Sequence, residues 1–88
     1  MRRVAIDESE FRNAEQLHAY LQRKLQFPPY YGRNLSALDD CAGDIDKPTA
    51  ITVIRVSRPD GRRWFDHIIA VLERAAETNP RLEIIDRR

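Results

Sequence analysis

At 88 residues and 10.3 kDa the chain has room for one domain and one modest core, leaving little volume for a deep, multi-residue catalytic cleft. A hydrophobic fraction of 42% beside 33% charged residues excludes a disordered chain, and the single cysteine, Cys41, excludes an internal disulfide framework or a cysteine zinc cluster. The formal net charge of +1 hides an uneven distribution, because residues 39–47 set Asp39, Asp40, Asp44 and Asp46 against Lys47 alone, so the rest of the chain is net basic.

In chain order, Val4 and Ile6 alternate with polar neighbours, which predicts a short strand over Arg2 to Ile6. Asn13 followed by Gln16 has the spacing of a capping box, and Ala14, Leu17, Leu21 and Leu25 then share one helical face. Phe27-Pro28-Pro29 stops that helix, since proline lacks an amide hydrogen and disfavours helical backbone before it. Asn34 is a second N-cap. Behind it Leu35, Leu38, Cys41, Ala42 and Ile45 form an apolar stripe, while Ser36, Asp40 and Asp44 project from the opposite face.

Pro48 introduces TAITVIRV, Thr49 to Val56, a β-branched run that suits a strand covered on both faces. Ser57 to Gly61, SRPDG, is turn chemistry. Phe65, Ile68, Ile69, Leu72 and Ala76 are the stripe of the longest helix, which Asn79-Pro80 ends, and Leu82, Ile84 and Ile85 make a last strand. The order strand-helix-helix-strand-helix-strand predicts an α/β fold, a small three-stranded parallel sheet packed with helices, in a single domain over residues 1–88.

Chemistry is sparse. His18, at the edge of the first helix's stripe, and His67, on the outside of the long helix, are lone histidines without a partner at metal-ligand spacing. Cys41 on an apolar stripe reads as a core residue rather than a nucleophile. Asp39 and Asp40 diverge by about 100° on a helix, so paired-carboxylate catalysis is not supported. Asp66, Glu73 and Glu77 read as a solvated face. Neither an enzyme, a metal nor a cofactor is expected. Arg55, Arg58, Arg62 and Arg63 beside Trp64, with Arg87-Arg88 at the end, could contact RNA phosphates, but a pI of 7.9 is low for a dedicated nucleic-acid binder. No apolar run approaches a membrane span and the start, MRRVAIDESE, lacks a signal peptide's apolar core, so the cytoplasm is the expected compartment.

The stretch LHAYLQRKLQFPPYYGRNLSALDDC, Leu17 to Cys41, resembles the signature of the barstar family, intracellular inhibitors of microbial ribonucleases. The features that match are Pro-Tyr-Tyr-Gly-x-Asn-Leu, then Ala-Leu-x-Asp-Cys, then Pro48 before an apolar strand and a long helix leading into a strand. The resemblance implies a three-stranded parallel sheet with packed helices. It implies that the second helix and the loop before it plug a ribonuclease active site. The aspartate at Asp40 would take the place of an RNA phosphate in a cationic pocket, beside Tyr30 and the Gly32–Asn34 loop.

Partner-binding residues on this reading are Tyr30, Gly32, Asn34, Ser36, Asp39, Asp40, Gly43, Asp44 and Glu73. The partner is a ribonuclease or a ribonuclease toxin domain, which would make the chain an immunity protein, monomeric when free. Gly32 is expected to supply a positive φ angle, and Tyr31 and Cys41 to be structural. The chain departs from the best-known members at Ser36 and at Gly43. Asp39 stands where a tryptophan is familiar, and Arg74 stands opposite a recognition glutamate, with Glu73 one residue away. These departures leave a second expectation open, a barstar-like protein-binding module without ribonuclease inhibition.

Overall fold

The computed structural model describes residues 1–56 and 63–87. The SRPDG turn, Arg58, Arg62 and Arg88 lie outside the described residues. Strand β1 spans Arg2–Asp7, helix α1 Ala14–Lys24, α2 Leu35–Gly43, strand β2 Thr49–Ile54, α3 Arg63–Thr78 and β3 Leu82–Arg87, with a short 3₁₀ turn at Glu8–Glu10. The strands form one parallel sheet in the order β1-β2-β3, with Val4 beside Ile51 and Ile51 beside Ile84. This is the α/β fold and element order that the sequence predicts.

The first helix begins as its cap demands, with the Gln16 amide donating to Asn13 Oδ1 at 2.9 Å. The reciprocal arm of the capping box reaches one residue further back, where Gln16 Oε1 accepts from the Arg12 amide at 2.7 Å. At the other end the prolines do not act alone. Gln26 takes a left-handed backbone (φ 57°) and the Phe27 amide returns to the Gln22 carbonyl at 3.0 Å, the closure of a Schellman motif with glutamine where glycine is usual.

The core lies on one side of the sheet. Val4, Ile6, Ile51, Val53 and Leu82 all enter the core cluster, and the pairing register puts these five on the same face. The opposite face carries Ile54, 40% exposed, and Ile85, 37% exposed, with Arg3 and Ala5 open as well. The expectation of a central strand covered on both faces is therefore corrected. Each crossover moves one strand over in the same direction, and right-handed crossovers of that kind place every helix on one face. Ala50 and Thr52 look away from the core and are sheltered by the neighbouring strands rather than by helices.

Over the covered face α3 is the central layer. Phe65, Ile68, Ile69, Leu72 and Ala75 are buried, and Val71 turns toward α2. Ala76, predicted in the stripe, is only half-buried. At the strand ends, Arg55 Nε donates to the Asp86 carboxylate at 3.0 Å and its Nη1 meets Asp66, so the sheet's carboxyl end is tied to α3.

One-sided covering has a measurable signature. Ile51→Ala should cost about 2–5 kcal/mol in urea unfolding, as for a fully buried isoleucine, whereas Ile54→Thr should stay within about 0.5 kcal/mol. Equal losses at the two sites would contradict the open face.

Candidate functional site: the acidic face of the second helix

The loop that leads into α2 is fastened from behind by α1. Gln22 Nε2 donates to the Pro28 carbonyl at 2.9 Å, and Gln22 Oε1 accepts from Arg33 Nε and Nη2 at 3.3 and 3.2 Å. The Tyr31 amide donates back to Pro28 at 3.0 Å, closing a turn. Tyr31 then points inward, packs on Phe27 with ring centroids 5.0 Å apart, and shares a 2.6 Å hydrogen bond with His18 Nδ1. His18 is 3% exposed. Burial, and then the nearby Arg33 charge, lowers its pKa below 6.5, and burial raises the Tyr31 pKa above 10. Tyr30, its neighbour in sequence, is 85% exposed. Of the adjacent tyrosines one anchors and the other is presented.

At the start of α2, Asn34 Oδ1 accepts from the Ala37 amide at 2.8 Å and its Nδ2 donates to the Gly32 carbonyl at 3.2 Å. Gly32 does not carry the positive φ expected of it. That angle falls on Arg33 (φ 51°). Glycine instead gives room for close approach, because a Cβ at position 32 would stand 3.0 Å from Asn34 Nδ2 and press on the cap.

Leu38 and Ala42 are fully buried against the core, whereas Leu35 is 40% exposed and Cys41 only half-buried. Both were expected in the buried stripe. A nine-residue helix lying on α3 buries a narrow seam, and its flanks stay open.

The far end of α2 is held by a residue that sequence reasoning treats only as a helix stop. Asn79, 6% exposed, donates from Nδ2 to the carbonyls of Ala42 and Ile45, each at 3.0 Å, with Gly43 O at 3.4 Å. Its Oδ1 accepts from the Arg81 amide at 3.0 Å. One side chain thus adds a second donor to the Ala42 carbonyl, which also accepts from the Ile45 amide, takes up the Ile45 carbonyl beyond the helix end, and shapes the turn into β3.

The electrostatics of this element are one-sided. α2 has no acidic residue in its first turn and no basic residue in its last, the reverse of what stabilises a helix dipole. Among the described residues no cation lies within 4.0 Å of Asp39, Asp40, Asp44 or Asp46. Asp66 and Asp86 are engaged by Arg55 and Glu15 by Arg33, whereas Glu10, Glu73, Glu77 and Glu83, like those four aspartates, have no ion pair among the described residues. Cys41 registers the resulting negative potential: burial raises its pKa, and Asp44 and Asp40 raise it further.

The predicted site residues separate into groups. Tyr30, Asp40 and Asp44 line one groove of about 460 Å³ with Cys41 and Asp46, whose rim also holds Arg2 and Lys47. Ser36 and Asp39 line another between α2 and α3, about 400 Å³ in volume, where the α3 wall is His67 and Arg74. Gly43 is exposed between open surroundings, with nothing within 4 Å of where its Cβ would be. Glu73 belongs to neither groove. It turns toward the β3 edge with Glu77 and Glu83, so Arg74 is the charged residue that flanks α2. Of the arginines grouped as an RNA surface, Arg55 is engaged by Asp66 and Asp86.

Comparison with known proteins decides the family. The profile described as Barstar (barnase inhibitor) matches residues 1–84. The chain belongs to the barstar family. It is also 40% identical over 80 residues to a Bacillus subtilis (strain 168) protein named "Putative ribonuclease inhibitor YrdF", covering 88% of each chain. Among the described residues, no helix of this barstar relative is long and apolar enough to cross a membrane.

Two measurements probe how the site is held. Asn79→Ala should destabilise the protein by about 1–3 kcal/mol, the cost of leaving the Ile45 carbonyl without its donor and weakening the bonding of Ala42, and should raise hydrogen exchange at the end of α2 before elsewhere. His18 should make stability pH-dependent. Its folded pKa lies below the unfolded value of 6.5, so the unfolded chain takes up the proton first. Stability is then full above pH 6.5 and is lost as pH falls from there through the folded value. His18→Gln should flatten that part of the profile in urea unfolding, and an unchanged profile would remove His18 as its source.

Proposed function

We propose that this barstar-family chain is a non-enzymatic inhibitor that binds a microbial ribonuclease or ribonuclease toxin domain and covers its active site with α2 and the Phe27–Asn34 loop. The observation that carries the reading is the unpaired acidic end of α2. Asp40 and Asp44 stand at the negative pole of the helix, with Asp39 just before and Asp46 just after, none with a cation of its own among the described residues, an arrangement that favours a cationic partner. A ribonuclease holds cationic side chains ready for phosphate, and Asp40, exposed on a braced helix, serves as the phosphate's stand-in. A carboxylate held in this way occupies the site and offers no bond to cleave.

The surrounding residues then take defined parts. Tyr30 offers an exposed ring beside Asp40 and Asp44 in the same groove. Asn34 and Gly32 set the angle at which α2 leaves the loop, and Asp39 and Ser36 meet the partner on the α3 side with Arg74. The inhibitor acts in the cytoplasm, as a monomer until it meets its target, and protects RNA without binding it.

A second reading is a barstar-like module that binds another protein and does not inhibit a ribonuclease. The specific observation in its favour is Arg74, a cation on the wall of the groove that flanks α2, together with the open space at Gly43.

The test is inhibition of RNA cleavage by a panel of barnase-type ribonucleases and ribonuclease toxin domains. At least one should be blocked at stoichiometric concentration. Asp40→Ala, with unchanged circular dichroism, should weaken that block by about 2–5 kcal/mol, the range for a buried interfacial charge, to which barnase–barstar itself contributed. Undiminished inhibition by the variant would contradict the role of Asp40, and a panel with no inhibited member would favour the second reading.

A further inference from the structure

A cavity of about 440 Å³ lies where the three helices begin, with Ala14 opening α1, Leu35 opening α2 and Trp64 in the first turn of α3. Ala14, Leu35, Trp64 and Ile68 supply apolar wall, the Glu15–Arg33 ion pair and Asn34 also line the space, and its volume falls within the range of about 300–1,000 Å³ usual for small-molecule sites. It is separate from the groove that holds Asp40.

The wall also contains His18, which is almost fully buried but uses only one ring nitrogen. Nδ1 is committed to Tyr31, and Nε2 has no partner among the described residues. His18 lines this space and Tyr31 does not, which leaves Nε2, the nitrogen that Tyr31 does not hold, as the polar ring atom available to an occupant. A buried polar atom left unpaired is costly, and an occupant that bonds to it removes the cost. A neutral imidazole presents either N–H or a lone pair at Nε2 according to its tautomer, so an occupant edge carrying both a donor and an acceptor satisfies it in either form. Indole beside the same space favours a flat ring over a flexible chain.

We propose that this cavity binds a small heteroaromatic ring of nucleobase size, packed against Trp64 and hydrogen-bonded through its polar edge to His18 Nε2. His67, exposed at the mouth, is placed to meet whatever the ring carries outward.

Trp64 is the only tryptophan and lines this space, so its fluorescence reports from the wall of the proposed site. Uridine and adenosine are titrated into the full chain while Trp64 emission and the ¹⁵N resonances of the His18 ring are followed. The expected result is a saturable change in emission with a matching shift at Nε2. Ala14→Leu, which narrows the cavity from the first turn of α1, should weaken that binding about tenfold or more. His18→Phe keeps a ring in place, removes Nε2 and should abolish saturation, with urea unfolding used to confirm that both variants are folded. Absence of a saturable response to either nucleoside overturns the proposal, as does a response that survives in Ala14→Leu. Saturation by N-acetyltyrosinamide but by neither nucleoside overturns the heterocycle assignment and assigns a phenol instead.

Discussion

A nine-residue helix is too short to sustain itself in water, and α2 further weakens itself by placing its carboxylates at the negative end of its own dipole. It persists because both ends are held from outside. Asn34 closes the amino end, Leu38 and Ala42 are buried between, and the Asn79 amide takes up the carbonyls of Ala42 and Ile45 at the carboxyl end. Asn79 follows directly on α3, the longest helix and the central layer over the sheet. The order of the core is thereby transmitted to a surface element that would otherwise fray.

The loop before α2 follows the same principle. Gln22 and His18 reach out from α1 to Pro28, Arg33 and Tyr31, so a segment containing two non-glycine residues at positive φ is held in one conformation. Such strain costs free energy in the folded state and persists only where its surroundings over-determine it. What it contributes is pre-organisation: Tyr30 and Asp40 are presented without further ordering, which lowers the entropic cost of association. In the proposed complex the unpaired aspartates are the complementary half, since a cationic partner would offset the stability that their mutual repulsion costs the free protein.

Much of this was legible in the residues, and what was not has a common cause. The caps at Asn13 and Asn34, the stop at Phe27 to Pro29 and the stripe of α3 are set by neighbours within a few positions, and local spacing reads them. The outward display of Asp40 likewise follows from helical period. The open face of the sheet was missed because a β-branched run records that a strand is buried but not how many layers cover it. That depends on strand order. Gly32 was assigned a turn angle that falls on Arg33, since glycine's missing Cβ serves steric room as readily as backbone freedom. The hold of Asn79 on α2 gave no local signal, because the carbonyls it binds lie more than thirty positions away. The separation of Glu73 from Arg74 needed the placement of α3 against both α2 and β3.

The central claim is that a partner is met by the braced loop and α2 as one rigid surface, with the acidic end of the helix at its centre. Hydrogen exchange of the chain, free and saturated with a ribonuclease it inhibits, tests this most directly. The account predicts that protection on binding is confined to Phe27–Asp44 and the adjoining turns of α3 around Arg74, with little change in the strands. Protection centred on the open face of the sheet at Ile54 and Ile85, with α2 unaffected, would contradict it.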